Sequence, residues 1–427
     1  MITVMLVILA VGLIAGAPVA FAIGISAMVF VHMQGFPTLS IMAQRMTEGI
    51  DSFALLALPL FILSGEIMAY GCTPRLMRFA NLLLGRVPGG LGATAAVGCG
   101  FFGAISGSGV ATTAAVGSII APEMVKQGYK KSFTASLVAG SGVLGMIIPP
   151  SFCMVVYGAS GGVSISALFM GGVIPGFACV LGFVLLSIGM GIVHGYMDRN
   201  YKRLPIGEQL FIVGDALLPL LMPAIVLGGV VFGVFTPTEA AGVASVYAFV
   251  LAYFVYREID FNVLINICVR SSISTAIIML IISMSTPFGW ILAMNNIPTL
   301  FAQTVMSVTE NPITSMILIS GILLVLGTFM DGTCLIILLT PILVPLMKSL
   351  NIDLVHFGMV FMLAIAIGGV TPPLALSLFV SCRIIKINID EVFPDVLYVI
   401  GIMSFVLLLV ILVPGMSLYI PRSMGLI

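Results

Sequence analysis

The chain has very little charge for its length. Lys, Arg, Asp and Glu make up 7% of its 427 residues, the two signs balance at 16 each, and 60% of the residues are hydrophobic. Soluble domains carry about 25% charged residues, so a water-soluble fold is excluded. The zero net charge also argues against nucleic acid as a partner. The composition predicts a polytopic protein whose surroundings are membrane lipids.

Residues for most enzyme chemistry are also scarce. The seven cysteines include no CxxC pair, so neither a disulfide framework nor a cysteine metal site is indicated. The three histidines are far apart and form no HExxH motif, which argues against an intramembrane metalloprotease. No nucleophile and base form a recognisable pair, so an enzyme is the least expected class. No polar stretch is long enough for an ATPase module, so any transport would use an ion gradient.

What the chain does have is a long-range repeat. Pro122 and Pro149 are 27 residues apart, as are Pro345 and Pro372, and both second prolines begin a Pro-Pro pair. The same offset of 223 pairs glycines as well: Gly109 with Gly332, and Gly145 with Gly368. Several matches at one offset predict a duplication. The predicted halves are residues 1–195 and 211–427, joined by a loop at 196–210.

Each half contains two short apolar pieces separated by a glycine-rich tip, at 90–123 and 312–346. Each piece has about 15 residues, whereas a helix that crosses the bilayer needs about 20. We therefore expect two re-entrant helical hairpins rather than four spans. An amphipathic connector is expected before them in each half, near 36–51 and 258–272, lying along the membrane surface.

Charged residues predict how the hairpins are oriented. Basic residues surround the first hairpin: Arg75, Arg78, Arg86, Lys126, Lys130 and Lys131. No such bias surrounds the second, near Glu310, Lys348 and Asp353. By the positive-inside rule the hairpins enter from opposite faces, which predicts an inverted-topology repeat. Arg199, Lys202 and Arg203 place the 196–210 loop in the cytoplasm, and both termini are then expected on the outer side.

The two tips and the two Pro-Pro breaks would meet near the middle of the membrane. Proline removes a backbone donor and frees carbonyls, and free carbonyls and hydroxyls suit an alkali cation. We predict two sodium sites related by the repeat. The first comprises Ser106, Ser108, Gly145, Ile148 and Pro150; the second comprises Gly327, Thr328, Gly332, Gly369 and Thr371. The alternative is that these glycines only allow helices to pack closely.

Helix N-termini after each tip carry partial positive charge and suit an anionic substrate. The predicted substrate-binding residues are Ser108, Gly109, Ser151, Asp331 and Thr333. An ionisable residue at membrane depth marks a functional site by default. Asp331 could ligate sodium, bind substrate hydroxyls or only cap the helix that begins at Gly332.

These motifs resemble a known family. The segments GSGVATTAAVGSIIAPEM, GMIIPPS, GTFMDGTCLIILLTPILVP and GGVTPPLALSLFV are similar to the large membrane subunit of tripartite ATP-independent periplasmic (TRAP) transporters, and the resemblance covers essentially the whole chain. It implies an all-α, elevator-type transporter of the bacterial inner membrane, driven by two or more sodium ions. It also implies two partners, a small four-helix membrane subunit and a periplasmic substrate-binding protein.

The resemblance further implies a division into fixed and moving parts. Scaffold elements are expected at about 1–51, 166–272 and 396–427, and transport elements at about 53–160 and 274–386. The substrate is expected to be a small organic anion, with sialic acid (N-acetylneuraminate) favoured and a C4-dicarboxylate next. Two other classes remain open: a sodium- or proton-coupled carboxylate carrier that works without a binding protein, and a channel, for which the chain has few charges.

Overall fold

The computed structural model describes residues 1–35, 38–196, 204–309, 311–373 and 375–427. Within these residues, helices are the only regular secondary structure. Six of the described helices are long and apolar enough to cross a membrane, or up to eight if two bent helix pairs each form one span. The predicted all-α polytopic architecture is confirmed at this level. The basic residues predicted in the inter-repeat loop, and Glu310, lie outside the described residues.

The described part of the first half contains ten α-helices, numbered α1 to α10. They are Ile2–Ile14, Val19–Met33, Thr38–Ile50, Ala57–Gly71, Thr73–Leu84, Gly90–Ser106, Gly109–Lys126, Lys131–Gly142, Phe152–Gly161 and Ile165–His194. A 3-10 turn, Phe53–Leu56, precedes α4, and another, Val143–Met146, follows α8. The first predicted hairpin therefore corresponds to α6 and α7.

The described part of the second half also contains ten, α11 to α20. They are Ile206–Val231, Pro237–Phe249, Phe261–Met294, Ile297–Val308, Pro312–Gly327, Gly332–Ser349, Leu354–Gly368, Leu376–Ile385, Val396–Leu412 and Gly415–Ser423. A π-helical turn, Val250–Val255, extends α12, and a 3-10 turn, Ile389–Val392, precedes α19. The second predicted hairpin corresponds to α15 and α16.

The connectors differ between the halves. In the first half, α3 is a separate amphipathic helix, because Ser52 adopts an extended conformation and ends it before α4. In the second half, the expected surface helix at 258–272 is not separate, since α13 runs without a break over 34 residues. No glycine or proline occurs between Asn262 and Thr286 to interrupt it. The prediction of a second surface helix is therefore wrong.

Contacts between the halves are reciprocal. Three pairs of matching contacts show this. Helix α4 packs on α12 as α13 packs on α2, α7 packs on α18 as α16 packs on α9, and α8 packs on α19 as α17 packs on α10. Each contact thus recurs with the halves exchanged, which is the pattern that two-fold symmetry produces. This is the packing expected of a duplicated chain. The orientation of the symmetry axis relative to the membrane stays a prediction.

Packing also divides the helices into two groups. Helix α1 packs on α2, and α2 to α4 pack on α12 and α13, whereas α6 to α9 and α15 to α18 form a second group around the helix breaks. Helix α10 packs on α6, α17 and α19, and α19 packs on α8 and α17. Contacts therefore join α10 and α19 to the second group, and α4 and α13 to the first. The division implied by the resemblance instead placed α10 and α19 in the scaffold, and α4 and residues 274–294 among the transport elements. Which group moves stays a prediction.

Candidate ion and substrate site at two helix breaks

The first tip is a two-residue break between α6 and α7. Gly107 adopts a left-handed conformation, with φ of 63°, which glycine reaches without steric cost. Ser108 is extended, and its hydroxyl accepts a hydrogen bond from the Ala111 amide at 3.4 Å. Ser108 is thus the N-cap of α7. The tip leaves the ends of two helices side by side, as the sequence predicted.

Buried hydroxyls surround this tip. The Thr112 hydroxyl donates to the Ser108 carbonyl oxygen at 2.7 Å and lies 2.8 Å from the Ser106 hydroxyl. Both Thr112 and Ser106 are buried. Thr112 was not among the predicted site residues. The signal was available, because a residue four positions after the N-cap lies on the same face of the helix, above it.

The first Pro-Pro break lies directly against this tip. After α8, the 3-10 turn leads through Ile148 to a cis bond between Pro149 and Pro150. A Cβ atom placed on Gly145 would lie 2.7 Å from the Ser108 carbonyl oxygen, and one on Gly107 would lie 3.1 Å from the Pro150 carbonyl oxygen. The two backbones therefore touch without intervening side chains.

Two further predicted residues occupy this break. The Ser151 hydroxyl donates to the Met146 carbonyl at 3.0 Å and lies 3.4 Å from the Gly107 carbonyl. The Ile148 side chain packs towards Gly176 of α10, so only its backbone is available for the predicted ion site. The structure brings the first predicted set together with Ser151.

The second break repeats this arrangement. A Cβ atom on Gly327, at the end of α15, would lie 3.1 Å from Gly368 Cα at the end of α17. Gly103 and Gly145 make the same approach in the first half, at 2.9 Å. Both contacts join a hairpin arm to the helix before a Pro-Pro break, and the second break also contains a cis bond, Pro372-Pro373.

Polar groups of the second break satisfy one another locally. The Thr371 hydroxyl donates to the Ile367 carbonyl at 2.7 Å, and the Thr328 hydroxyl to the Val325 carbonyl at 2.7 Å. The Ser377 amide donates to the Gly369 carbonyl at 3.3 Å. A carbonyl oxygen has two lone pairs, so these oxygens can accept a further partner.

Asp331 caps α16. Its carboxylate accepts a hydrogen bond from the Thr333 amide at 2.9 Å, and the side chain is half-buried. The capping role weighed from the sequence is therefore confirmed. The second carboxylate oxygen makes no hydrogen bond to the described residues, so it can accept one from a ligand.

The second break opens into a cavity of about 160 Å³, to which the first half contributes Val110, Val143 and Met146 but none of the residues predicted for the first sodium site. It is lined by residues of both halves, among them Val110, Val143, Met146, Thr328, Asp331, Gly332, Gly369 and Ser377. A Cβ atom on Gly332 would lie 2.6 Å from the Met146 side chain, and Cys153 lies beside Ser151 and Thr333. The tips from the two halves are thus neighbours, as predicted.

The cavity is lined mainly by apolar residues, and the polar side chains among its lining residues, Thr328, Asp331 and Ser377, carry hard oxygen ligands. Hydroxyl and carbonyl oxygens suit alkali and alkaline-earth cations, whereas transition metals favour imidazole and thiolate. No cluster of three or more His, Cys, Asp or Glu side chains occurs among residues 1–35, 38–196, 204–309, 311–373 and 375–427. The residues therefore fit a sodium ion, and the N-termini of α7 and α16 would favour an anion beside it.

Comparison with known families agrees with this geometry. A family model described as "Tripartite ATP-independent periplasmic transporter, DctM component" matches residues 4–416. The chain belongs to this family. The DctM family consists of transporter permeases rather than enzymes, so the chain is a multi-pass bacterial membrane protein of the TRAP large permease type.

Curated relatives carry names for different substrates. The isethionate TRAP transporter permease protein DctMQ of Oleidesulfovibrio alaskensis is 38% identical, over 95% of this chain and 64% of its own length. The sialic acid TRAP transporter large permease protein SiaM of Vibrio cholerae is 36% identical, over 96% of both chains. The C4-dicarboxylate TRAP transporter large permease protein DctM of the same organism is 35% identical, over 98% of this chain and 97% of its own.

Proposed function

We propose that this DctM-family chain is the large membrane subunit of a sodium-coupled secondary transporter that takes up a small organic anion. The observation that carries the proposal is the close approach of two related helix breaks, the second of which lines a cavity. Each break offers hydroxyl and carbonyl oxygens to a cation, and the helix N-termini beside them favour an anion. Because the two breaks are adjacent, the binding of cation and anion can be coupled.

The coupling ions are proposed to be sodium, two or more per cycle. A cation that moves with the membrane potential gains about 2.3 kcal/mol per charge per 100 mV. Two sodium ions carried with a monoanion give a net charge of +1. Membrane potential and sodium gradient would then both drive uptake.

The substrate proposal stays broad. Sialic acid is favoured and a C4-dicarboxylate comes next, but the three relatives compared above, named for isethionate, sialic acid and C4-dicarboxylate, differ by only three percentage points in identity. Identity therefore does not rank them. What their named substrates share is a small polar molecule with a carboxylate or sulfonate group.

The setting follows from the family. We propose an inner-membrane location with both termini in the periplasm, a small four-helix membrane subunit and a periplasmic binding protein that delivers the substrate. An elevator movement would carry the site across the membrane. The packing supports a moving group of α6 to α10 and α15 to α19, because these helices contact one another around the breaks.

Uptake by the reconstituted complex tests the proposal. Proteoliposomes with the small subunit receive labelled sialic acid, succinate or isethionate, with and without the binding protein and a sodium gradient. We expect uptake of one of these anions that requires both. Sodium-independent uptake would contradict the coupling, and uptake without the binding protein would favour the stand-alone carrier.

A pair of serine variants on this one hairpin separates site effects from folding. Ser106→Ala removes a buried hydroxyl at the first break, whereas Ser118→Ala removes an exposed one on α7. We expect Ser106→Ala to raise the half-saturating sodium concentration and Ser118→Ala to leave it unchanged. Equal effects of the two variants would contradict the assignment of the first sodium site.

A further inference from the structure

A larger cavity lies away from the helix breaks. It has a volume of about 410 Å³ and lies between α3, α9, α13 and α16. Its polar lining comprises Arg45, Glu48, Ser52, Ser160, Ser285, Thr286 and Trp290. We call it the Arg45 cavity. Because α3 and α13 belong to one packing group and α9 and α16 to the other, the cavity lies between the two groups.

Two helices connect the Arg45 cavity to the helix breaks. Helix α9 begins directly after Ser151 and reaches the cavity at Ser160, and α16 begins at Gly332 and reaches it at Pro341. At 1.5 Å per residue, the cavity lies about 14 Å from the breaks along either helix. The charge pattern predicts that this end faces the periplasm, from which a substrate would arrive.

The Arg45 cavity offers several hydrogen-bond donors. Each Glu48 carboxylate oxygen accepts one hydrogen bond, from the Gln44 amide at 3.0 Å and from Arg45 Nη1 at 2.9 Å. The Arg45 guanidinium has five N–H groups, and this ion pair is its only hydrogen bond to the described residues. The Trp290 ring centroid lies 5.2 Å from Arg45 Cζ, a cation–π contact that uses no N–H donor.

A buried hydroxyl without a partner also lines this cavity. Ser285 is 5% exposed, and its Oγ has no hydrogen-bond partner among the described residues. An unsatisfied buried polar group costs about 1–3 kcal/mol, so a ligand in the cavity that accepts a hydrogen bond from Ser285 would recover this cost. A hydroxyl can donate to an anion, as the free guanidinium N–H groups can.

Volume separates the two cavities. Sites for small molecules occupy roughly 300–1,000 Å³. The Arg45 cavity, at about 410 Å³, is within this range. The cavity at the helix breaks, at about 160 Å³, is below it, and it suits ions and a single anionic group better than a whole sugar acid.

We propose that the Arg45 cavity is a second binding site for the transported organic anion. The carboxylate or sulfonate group of the anion contacts Arg45 there before the anion reaches the helix breaks. This rests on the proposed function for the identity of the ligand. Glu48 holds Arg45 in the absence of substrate and competes with the anion for it.

Thiol labelling tests the proposal without measuring transport. Ser160, exposed at the rim, becomes the reporter as Ser160→Cys, and Cys268→Ser removes the exposed native thiol, the other six being buried. The full chain is treated with an anionic sulfonatoethyl and a cationic trimethylammonioethyl methanethiosulfonate. The quantity measured is the ratio of their labelling rates.

Three charge variants are compared in this background. One charge about 7 Å away in a wet site changes the ratio of anionic to cationic rates about fivefold or more. Arg45→Gln is expected to lower the ratio by this factor and Glu48→Gln to raise it. Arg78→Gln changes the net charge as Arg45→Gln does, but at an exposed position outside the cavity. It is expected to leave the ratio unchanged.

Competition completes the test. Sialic acid, succinate and isethionate are added singly, and at least one is expected to slow the anionic reagent in the parent but not in Arg45→Gln. The proposed second site would be overturned by any one of three results: no labelling of Ser160→Cys, a rate ratio that is the same in Arg45→Gln and Glu48→Gln as in the parent, or no anion that slows labelling. Sodium-independent uptake would instead overturn the proposed coupling while leaving charge-selective labelling in place.

Discussion

The contact between Gly327 and Gly368 supports a sharp prediction. A Cβ atom on Gly368 would lie 2.6 Å from both Cα and C of Gly327, and 3.0 Å from its oxygen. Carbon atoms in ordinary contact are about 3.5–4.0 Å apart. In Gly368→Ala the end of α15 must therefore move by about 1 Å, and the Gly327 carbonyl, a predicted sodium ligand, moves with it.

The expected magnitude combines two opposing effects. Overpacking costs about 1–3 kcal/mol, and replacing a helical glycine by alanine recovers about 0.5–1 kcal/mol. We expect a net loss of about 1–2 kcal/mol, which corresponds to a factor of about 5–30 in an equilibrium constant. If the strain is released when sodium leaves, the half-saturating sodium concentration rises by that factor.

Thermal unfolding of the purified protein over a sodium titration measures both effects. Gly321→Ala is the control, because Gly321 lies on α15, the helix that Gly368 contacts, with no atom within 4 Å of an added Cβ. We expect Gly321→Ala to be neutral or slightly stabilising. The reasoning is refuted if Gly368→Ala unfolds at the parental temperature with the parental sodium response.

Three further substitutions follow from the same structure. Asp331→Asn keeps a capping side chain but removes the charge, so we expect normal thermal stability with loss of sodium-dependent uptake. Normal uptake would show that Asp331 only caps the helix. Arg75→Ala removes ion pairs to Asp215 and Glu258 at 3.1 and 2.6 Å, so we expect it to lower the free energy of unfolding by about 1–3 kcal/mol. Arg78→Ala, at an exposed position, should lower it little. Equal melting temperatures of the two variants would contradict this prediction. Thr112→Val removes the hydroxyl that is hydrogen-bonded to the first tip, so we expect weaker sodium binding, whereas Thr112→Ser keeps a hydroxyl and should bind sodium normally. A sodium titration measures both variants, and unchanged binding in both would show that the hydroxyl has no role.

The composition class, the duplication and the positions of the breaks can be predicted from local sequence features alone. Glycine, proline and capping residues act on the conformation of their immediate neighbours. The helix ends at Gly107, at Ser108 and at the Pro-Pro pairs therefore follow from local sequence. The offset of 223 residues then related one break to the other. Family membership, carried by the same motifs, is confirmed by the match over residues 4–416.

Which groups come into contact depends on how the helices pack. Gly103 contributes through its contact with Gly145 on a different element, and no local pattern distinguishes it from other glycines of the chain. The uninterrupted α13 and the packing of α10 and α19 on the hairpin arms likewise depend on long-range contacts. The Arg45 cavity exists because four helices distant in sequence leave a gap between two packed groups, and spacing along a chain does not encode such a gap.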